Sequence, residues 1–424
     1  MFDSIRGFWK LPDLRNKILF TLAIIIVYRF GAAIPVPGVN VNILQQIFQK
    51  EQSGSILGLL NLLSGGALAN FAIFSLGIMP YITASIIMQL LRVVIPKIDE
   101  WAKEGEAGER KITQWTRYLT LVLAVVESIG YTFLFQQQLK QAVASFTGFT
   151  SLNRFLIVIT MVTGTVLIMW LGELITQRGI GNGMSIIITI NILSAFAPAF
   201  LQIGRTNSVF LGVVLLTFLI MVVAVVFMEQ GQRRVPVQYA KRVVGRKMYG
   251  GASTYIPLKL NSAGVIPIIF ASSILLFPGQ IARYFSGPVA RFFQNILKPD
   301  SIFYISAFAL LIIFFTYFYT AITFNPKDTA DNLKKYGGFI PGVRPGRATT
   351  EYINHILTRL TLPGAIFLAL LAIIPTIIFN SIDLQSAIRA FGGAAILIIV
   401  GVTLETVRQL ESQLVMRHYE GFLK

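Results

Sequence analysis

Between Ile56 and Arg92 the chain reads ILGLLNLLSGGALANFAIFSLGIMPYITASIIMQLLR, and this stretch opens with an apolar run of only eight residues, Ile56 to Leu63. At 1.5 Å per residue such a helix reaches about 12 Å, well short of a hydrocarbon core about 30 Å thick. Ser64-Gly65-Gly66 then interrupts the pattern, and a second apolar run from Phe71 to Leu91 is long enough to cross. The stretch therefore reads as a half-helix followed by a full span. Broken backbone at membrane depth is tolerated only where protein or a water-filled cavity receives its polar groups. A plug-like half-helix thus implies an interior pathway for it to occupy.

The rest of the chain has the character this requires. Of 424 residues, 54% are hydrophobic and 13% charged, which places it with polytopic membrane proteins. Ten candidate spans lie near 17–34, 70–92, 114–136, 153–175, 184–203, 209–229, 262–283, 302–324, 358–379 and 389–407. Arg15 and Lys17 lead straight into the first of these with no small-residue cleavage pattern after it, so the first span reads as retained. An even number of spans puts both termini on one side. With that side cytoplasmic, 27 of the 36 Lys and Arg residues fall inside, eight fall outside, and Arg29 lies within the first span. The positive-inside rule fixes the orientation.

Two internal loops are long and basic: RRVPVQYAKRVVGRKMYGGASTYIPLK at 233–259, and NPKDTADNLKKYGGFIPGVRPGRATTEYINHILTR at 325–359. Alternation of apolar and polar residues from Val235 to Tyr239, and again in Ser253–Ile256, predicts a strand-like protrusion standing off the membrane. Topology and anionic-lipid contact need only a few charges near span ends. Loops of this length point to partners.

Signs of catalysis are absent from the sequence. It has no P-loop, no His-Glu-x-x-His and no Gly-x-Ser-x-Gly elbow. Gly179-Ile180-Gly181-Asn182-Gly183 follows a helical Trp170-Leu171-Gly172-Glu173 and precedes an apolar span, so it reads as a tight inter-helix turn and not a dinucleotide loop. Without cysteine the chain has no disulfide, thiolate nucleophile or Cys-type zinc site, and His355 and His418 lie in or beside basic polar segments. No cofactor or metal is expected. Glu127 is the clearest carboxylate at membrane depth, with Glu173 and Glu405 near cytoplasmic ends. A secondary solute transporter with inverted repeats is the alternative reading, although it calls for polar binding groups at broken helices near midplane.

Six segments resemble the signature stretches of the bacterial SecY family, the channel subunit of the Sec protein translocase. They are SLGIMPYITASIIMQLL (75–91), KEGEAGERKITQWTRY (103–118), RGIGNGMSIII (178–188), the run from Arg233 to Pro278, YGGFIPGVRPGRAT (336–349) and LESQLVMRHYEGF (410–422). The likeness runs through all ten spans and both large loops.

The resemblance implies an all-α polytopic fold of ten transmembrane helices in two inverted five-helix halves, with a re-entrant plug half-helix. The halves would be 1–205, with the plug at about 55–68, and 206–424, with cytoplasmic loops 231–260 and 325–357. It implies a protein-conducting channel that translocates unfolded secretory polypeptides and releases transmembrane segments laterally, not an enzyme. The pore ring would be Ile82, Ile86, Ile188, Ile269 and Ile398, and the plug would include Leu57, Leu60, Asn61, Ser64, Gly65 and Gly66. Ile87, Glu127 and Phe277 match the lateral gate; Arg246, Lys247 and Arg344 match partner-binding positions. The implied partners are the small membrane subunits SecE and SecG, the SecA motor ATPase, the ribosome, secretory and membrane-protein precursors, and phospholipid. The implied location is the bacterial inner membrane.

The ring assignment has a physical basis of its own. Ile82 and Ile86 are four apart and share one helix face. A narrow aperture of branched aliphatic side chains offers an ion nothing in place of its hydration shell, so it dewets and seals.

Overall fold

The computed structural model describes residues 11–37, 39, 41, 61–142, 150–206, 208–239, 242–244, 247–249, 253–284, 296, 301–382 and 391–421. Among them, ten helices coincide with the ten expected spans. The amino-terminal set is α1 (Pro12–Gly31), α2 (Met79–Val94), α4 (Glu106–Ala142), α5 (Ser151–Arg178) and α6 (Gly183–Thr206), with a short α3 (Pro96–Lys103) lying between α2 and α4. The second set is α7 (Ser208–Gln230), α8 (Ile266–Tyr284), α9 (Ile302–Thr323), α11 (Arg347–Ser381) and α12 (Gly393–Gly421); a polar α10 (Pro326–Lys335) precedes α11.

Local sequence starts and stops these helices. Thr150 accepts from the Asn153 amide to cap α5, Ser301 accepts from Tyr304 to cap α9, and Asn325 accepts from Lys327 ahead of Pro326 to cap α10. Seven of the described helices are long and apolar enough to cross a membrane on those grounds alone. Helix α1 has 20 residues but carries Asp13, Arg15, Lys17 and Arg29. Helices α2 and α3 form a pair bent by 101° at Ile95-Pro96, and Asp99 beyond the bend ion-pairs with Arg92 before it at 3.6 Å. Lys103 also holds Asp99, at 2.6 Å, and that hydrogen bond lowers the carboxyl pKa below its ordinary value.

The second span is shorter than its sequence predicts. A continuous helix was expected over 70–92, but residues 64–78 run in tight turns and the helix begins at Met79. Gly77 at φ +58° and Pro80 in the first helical turn account for this, since one favours a left-handed turn and the other cannot extend a helix towards its amino terminus. Phe71 holds φ +45°, unusual for a non-glycine; its fully buried ring packs edge-on against Phe135 at 4.9 Å.

One apolar core runs through the bundle, from Tyr28 on α1 to Val402 on α12. Its outer helices present apolar side chains outward: Phe227 and Val209 on α7 are 78% and 69% exposed, as helices facing lipid require. A second, separate core sits in the loops. Strands β1 (Gln232–Tyr239), β4 (Ser253–Lys259) and β5 (Gly338–Phe339) form an antiparallel sheet in the order β4-β1-β5, with Val235 opposite Ile256 and Gln238 opposite Phe339. Between them, β2 (Arg242–Val244) and β3 (Lys247–Tyr249) pair as a small hairpin. Val235, Val237 and Leu258 pack on Leu333, Ile340, Ile353 and Leu357. The strand-like protrusion expected from the alternating pattern is therefore present; β5, only two residues long, was not legible. Strands are confined to the loops among the described residues, and helices supply the spans.

Candidate functional site

Among the described residues, two cavities with polar groups in their walls and one apolar cavity lie between the helices. The first polar cavity, about 350 Å³, is lined by Ile82 from α2, Arg117 from α4, Glu173 from α5, Ile188 from α6 and Ile269 from α8. The second, about 410 Å³, is walled by Glu229, Lys259, Asn261, Glu405 and Arg408. Asn182, Ser185 and Ile266 line both, so the two adjoin as one vestibule. The apolar cavity, about 100 Å³, is lined by Leu62, Leu63, Ile192, Ser272 and Ile398 among others.

Helical spacing relates these spaces along α6 and α8. Ile188 faces the vestibule, whereas Ile192, one turn later on α6, faces the apolar cavity. Ile269 and Ser272 on α8 divide in the same way. Along these two helices the level of Ile188 and Ile269 thus lies between the vestibule and the apolar cavity.

The structure brings Ile82, Ile188 and Ile269 together in the vestibule wall. Ile398 lines the apolar cavity with Leu62 and Leu63, and Ile86, 3% exposed, is packed into the core without lining either space. All five belong to the main core or pack directly on it.

Of the plug positions, Leu57 and Leu60 lie outside the described residues. Asn61 is helical, with Leu62 and Leu63, and Ser64, Gly65 and Gly66 form the turns after them. Those turns are built by their own side chains: Asn61 Oδ1 accepts from the Ala69 amide at 2.8 Å, and Ser64 Oγ accepts from the Leu68 amide at 3.2 Å. Gly65 and Gly66 take φ +65° and +87°, which explains the paired glycines.

At the side of the bundle, α8 packs against both α2 and α4. Ile87 is half-buried on α2, and Glu127 on α4 is 8% exposed. Phe277 lies on α8, with its side chain outside the described residues. In the loops, Lys247 begins β3 and Arg246 lies outside the described residues. Arg344 is exposed in the turn before α11, where its carbonyl accepts from Thr349 Oγ1 at 2.9 Å.

Several polar contacts were invisible to sequence reasoning. Arg117 grips Glu173 with two hydrogen bonds of 2.8 and 2.6 Å at the vestibule wall. Asn261 Nδ2 donates to Glu229 Oε1 at 2.6 Å, and Arg408 donates to the Glu229 carbonyl at 2.7 Å. Asn191 on α6 is fully buried and donates to the Leu63 carbonyl at 2.8 Å. These partners lie 32 to 179 residues apart. The only local signal was a polar residue inside an apolar run.

Comparison with known proteins adds an independent line. A family model described as SecY matches residues 72–407. The protein translocase subunit SecY of Streptomyces griseus is 50% identical over 440 residues, covering 100% of both chains. Among solved structures, one whose plug domain is described as stabilising the closed state of the translocation channel superposes with TM-score 0.62 at 19% identity, over 94% of this chain and 92% of that one. Sec61 in the canine ribosome–channel complex superposes with TM-score 0.59 at 17% identity, over 94% and 92%. These two likenesses show the fold.

Proposed function

The chain belongs to the SecY family, and from that premise we propose that it forms a protein-conducting channel through which unfolded secretory chains cross the membrane and from which apolar segments leave sideways into lipid. The observation that supports this most directly is where the isoleucines lie. Ile82, Ile188 and Ile269 line the vestibule and Ile398 lines the apolar cavity, whose wall also includes Leu62 and Leu63 of the broken segment; on this reading the level between the two spaces is the neck of the channel. An apolar neck resists ions yet yields to a passing chain, because it holds no ligand for either.

On this reading Ile82, Ile188, Ile269 and Ile398 form the seal with Ile86 packed behind them in the core, and residues around 55–68 are the plug. The seam of α8 with α2 and α4, with Ile87, Glu127 and Phe277, is the lateral gate. The two halves, 1–205 and 206–424, part along it. The basic excess supports a cytoplasmic side for the loop sheet and both termini, and the family supports a place in the bacterial inner membrane.

Arg246, Lys247 and Arg344 then face soluble partners, a motor ATPase of the SecA type or the ribosome, whose RNA is a polyanion suited to arginine-rich protrusions. Small membrane subunits of the SecE and SecG kind complete the assembly.

A stalled secretory precursor in vesicles tests the reading. In the cysteine-free chain, single cysteines placed in α2 and α8 should crosslink to the precursor. Uptake of a small solute without such crosslinks would instead favour a carrier.

A further inference from the structure

Arg29 is the one Lys or Arg that topology leaves inside a span, and the structure gives it a specific target. From near the end of α1 its Nη1 donates to the Gly65 carbonyl at 3.0 Å. From α6, Asn191 Nδ2 donates to the Leu63 carbonyl at 2.8 Å. Leu63 is the last helical residue before the break and Gly65 lies two residues beyond it, so both donors act on the carbonyl end of the plug segment. Such carbonyls lack intrahelical partners, and a helix carries partial negative charge there, which a cation complements.

The fit is close. A Cβ on Gly65 would stand 2.5 Å from Asn191 Oδ1 and 2.7 Å from Arg29 Nη1, so glycine, amide and guanidinium meet at one point. Among the described residues no carboxylate ion-pairs with Arg29. Its placement is therefore not explained by a salt bridge, and Asn191 is 0% exposed.

We propose that Arg29 and Asn191 are a two-sided latch that holds the plug segment by its carbonyl end and sets how strongly a signal must engage before the channel opens. The inference rests on the channel reading and adds to it specificity-determining residues outside the ring. When the segment leaves, both donors need water in place of the carbonyls, so release is coupled to wetting of the apolar cavity. A bond from a charged donor in a low-dielectric site is a strong one, and its loss should favour the open state about tenfold.

The test uses the full chain reconstituted in its translocase, with a single cysteine at Leu62 and an impermeant thiol reagent applied from the external face. Arg29→Met and Asn191→Leu should each raise the labelling rate about tenfold and improve export of a precursor with a weakened signal, while export of an intact precursor stays at the parental level. Arg29→Lys, which keeps charge but not the guanidinium fork, should fall between. Unchanged labelling and unchanged weak-signal export in both variants would overturn the latch while leaving the channel reading intact. If the parental chain exports nothing in the same vesicles, the channel reading itself fails. Should Arg29→Met not accumulate, Asn191→Leu carries the comparison alone; loss of both proteins would mark the pair as folding determinants and overturn the latch.

Discussion

Two regions among the described residues that leave the helical pattern satisfy their backbones in opposite ways. The segment 61–78 lies among the spans and relies on tight turns, such as Gly66 N to Asn61 O at 2.8 Å and Ala72 N to Ala67 O at 2.9 Å. Side chains from its own residues and from α1 and α6 complete it, together with a short pairing of Val36 and Ile73 amides with the Phe71 and Ile34 carbonyls. The loop module, by contrast, uses a regular ladder between β1 and β4 and a core of its own. Where water is absent, each broken hydrogen bond needs a named partner; where water is near, a generic ladder suffices. The membrane break should therefore be sensitive at individual contacts, and the loop module should rise or fall as a unit.

The largest effect is expected where that unit can be destroyed without touching the spans. Val237 is 0% exposed in the loop core, so Val237→Asp buries an unpaired charge at a cost of about 3–5 kcal/mol. Limited proteolysis should then cut within 232–260 while the membrane helices stay protected. Loss of the whole protein would show that the module and the bundle fold as one.

Next comes the converse change in the membrane. Gly164 on α5 lies so close to the broken segment that a Cβ there would stand 2.0 Å from the Ile73 carbonyl oxygen. Gly164→Ala should cost about 1–3 kcal/mol, because a backbone group and not a flexible side chain must move. Thermal unfolding should fall and ion leak should rise, with the loop's protease resistance unchanged. Equal loss in both regions would erase the contrast.

Much of this contrast could be read in advance, though not its contacts. The ten spans follow from apolar runs, and β1 and β4 from alternation at Val235 to Tyr239. Ser64-Gly65-Gly66 marked the break, but its length was underestimated because Phe71 to Ile78 is as apolar as a helix; Gly77 and Pro80 carried the missing information. Arg29 was visible as a charge within a span. Its target was not, since the Gly65 carbonyl it meets is backbone and leaves no mark in side-chain pattern. The bond of Asn191 to Leu63, 128 residues away, was hidden for the same reason.

A third prediction moves to the neck. Ile269→Asn places an amide in the vestibule wall at the proposed constriction, which lowers the cost of wetting and weakens the apolar contact between α8 and its neighbours. A loss of closed-state stability of about 1.4 kcal/mol eases opening about tenfold. Weak-signal precursors should be exported better than by the parent, with some added conductance and normal protein levels. An ordinary packing isoleucine predicts reduced export of every substrate in step with reduced protein, and that outcome would remove Ile269 from the seal.

The smallest effect on stability is expected at Arg344, and for that reason it isolates the loop's purpose from its fold. The side chain is exposed, and the hydrogen bond at this residue uses its backbone carbonyl, which Arg344→Glu leaves in place. Stability should change by no more than about 0.5 kcal/mol, as at other surface sites. Binding is another matter, because reversing a charge that faces a partner turns attraction into repulsion over a Debye length of about 8 Å at physiological salt. Binding of the motor ATPase or the ribosome should weaken, and the difference from the parent should shrink as salt is raised. Titrating each purified partner against both proteins at two ionic strengths measures this directly. Unchanged affinity and unchanged salt dependence for both partners would mean that Arg344 serves topology alone, and the loop module would then need a different reason for its sheet and its separate core.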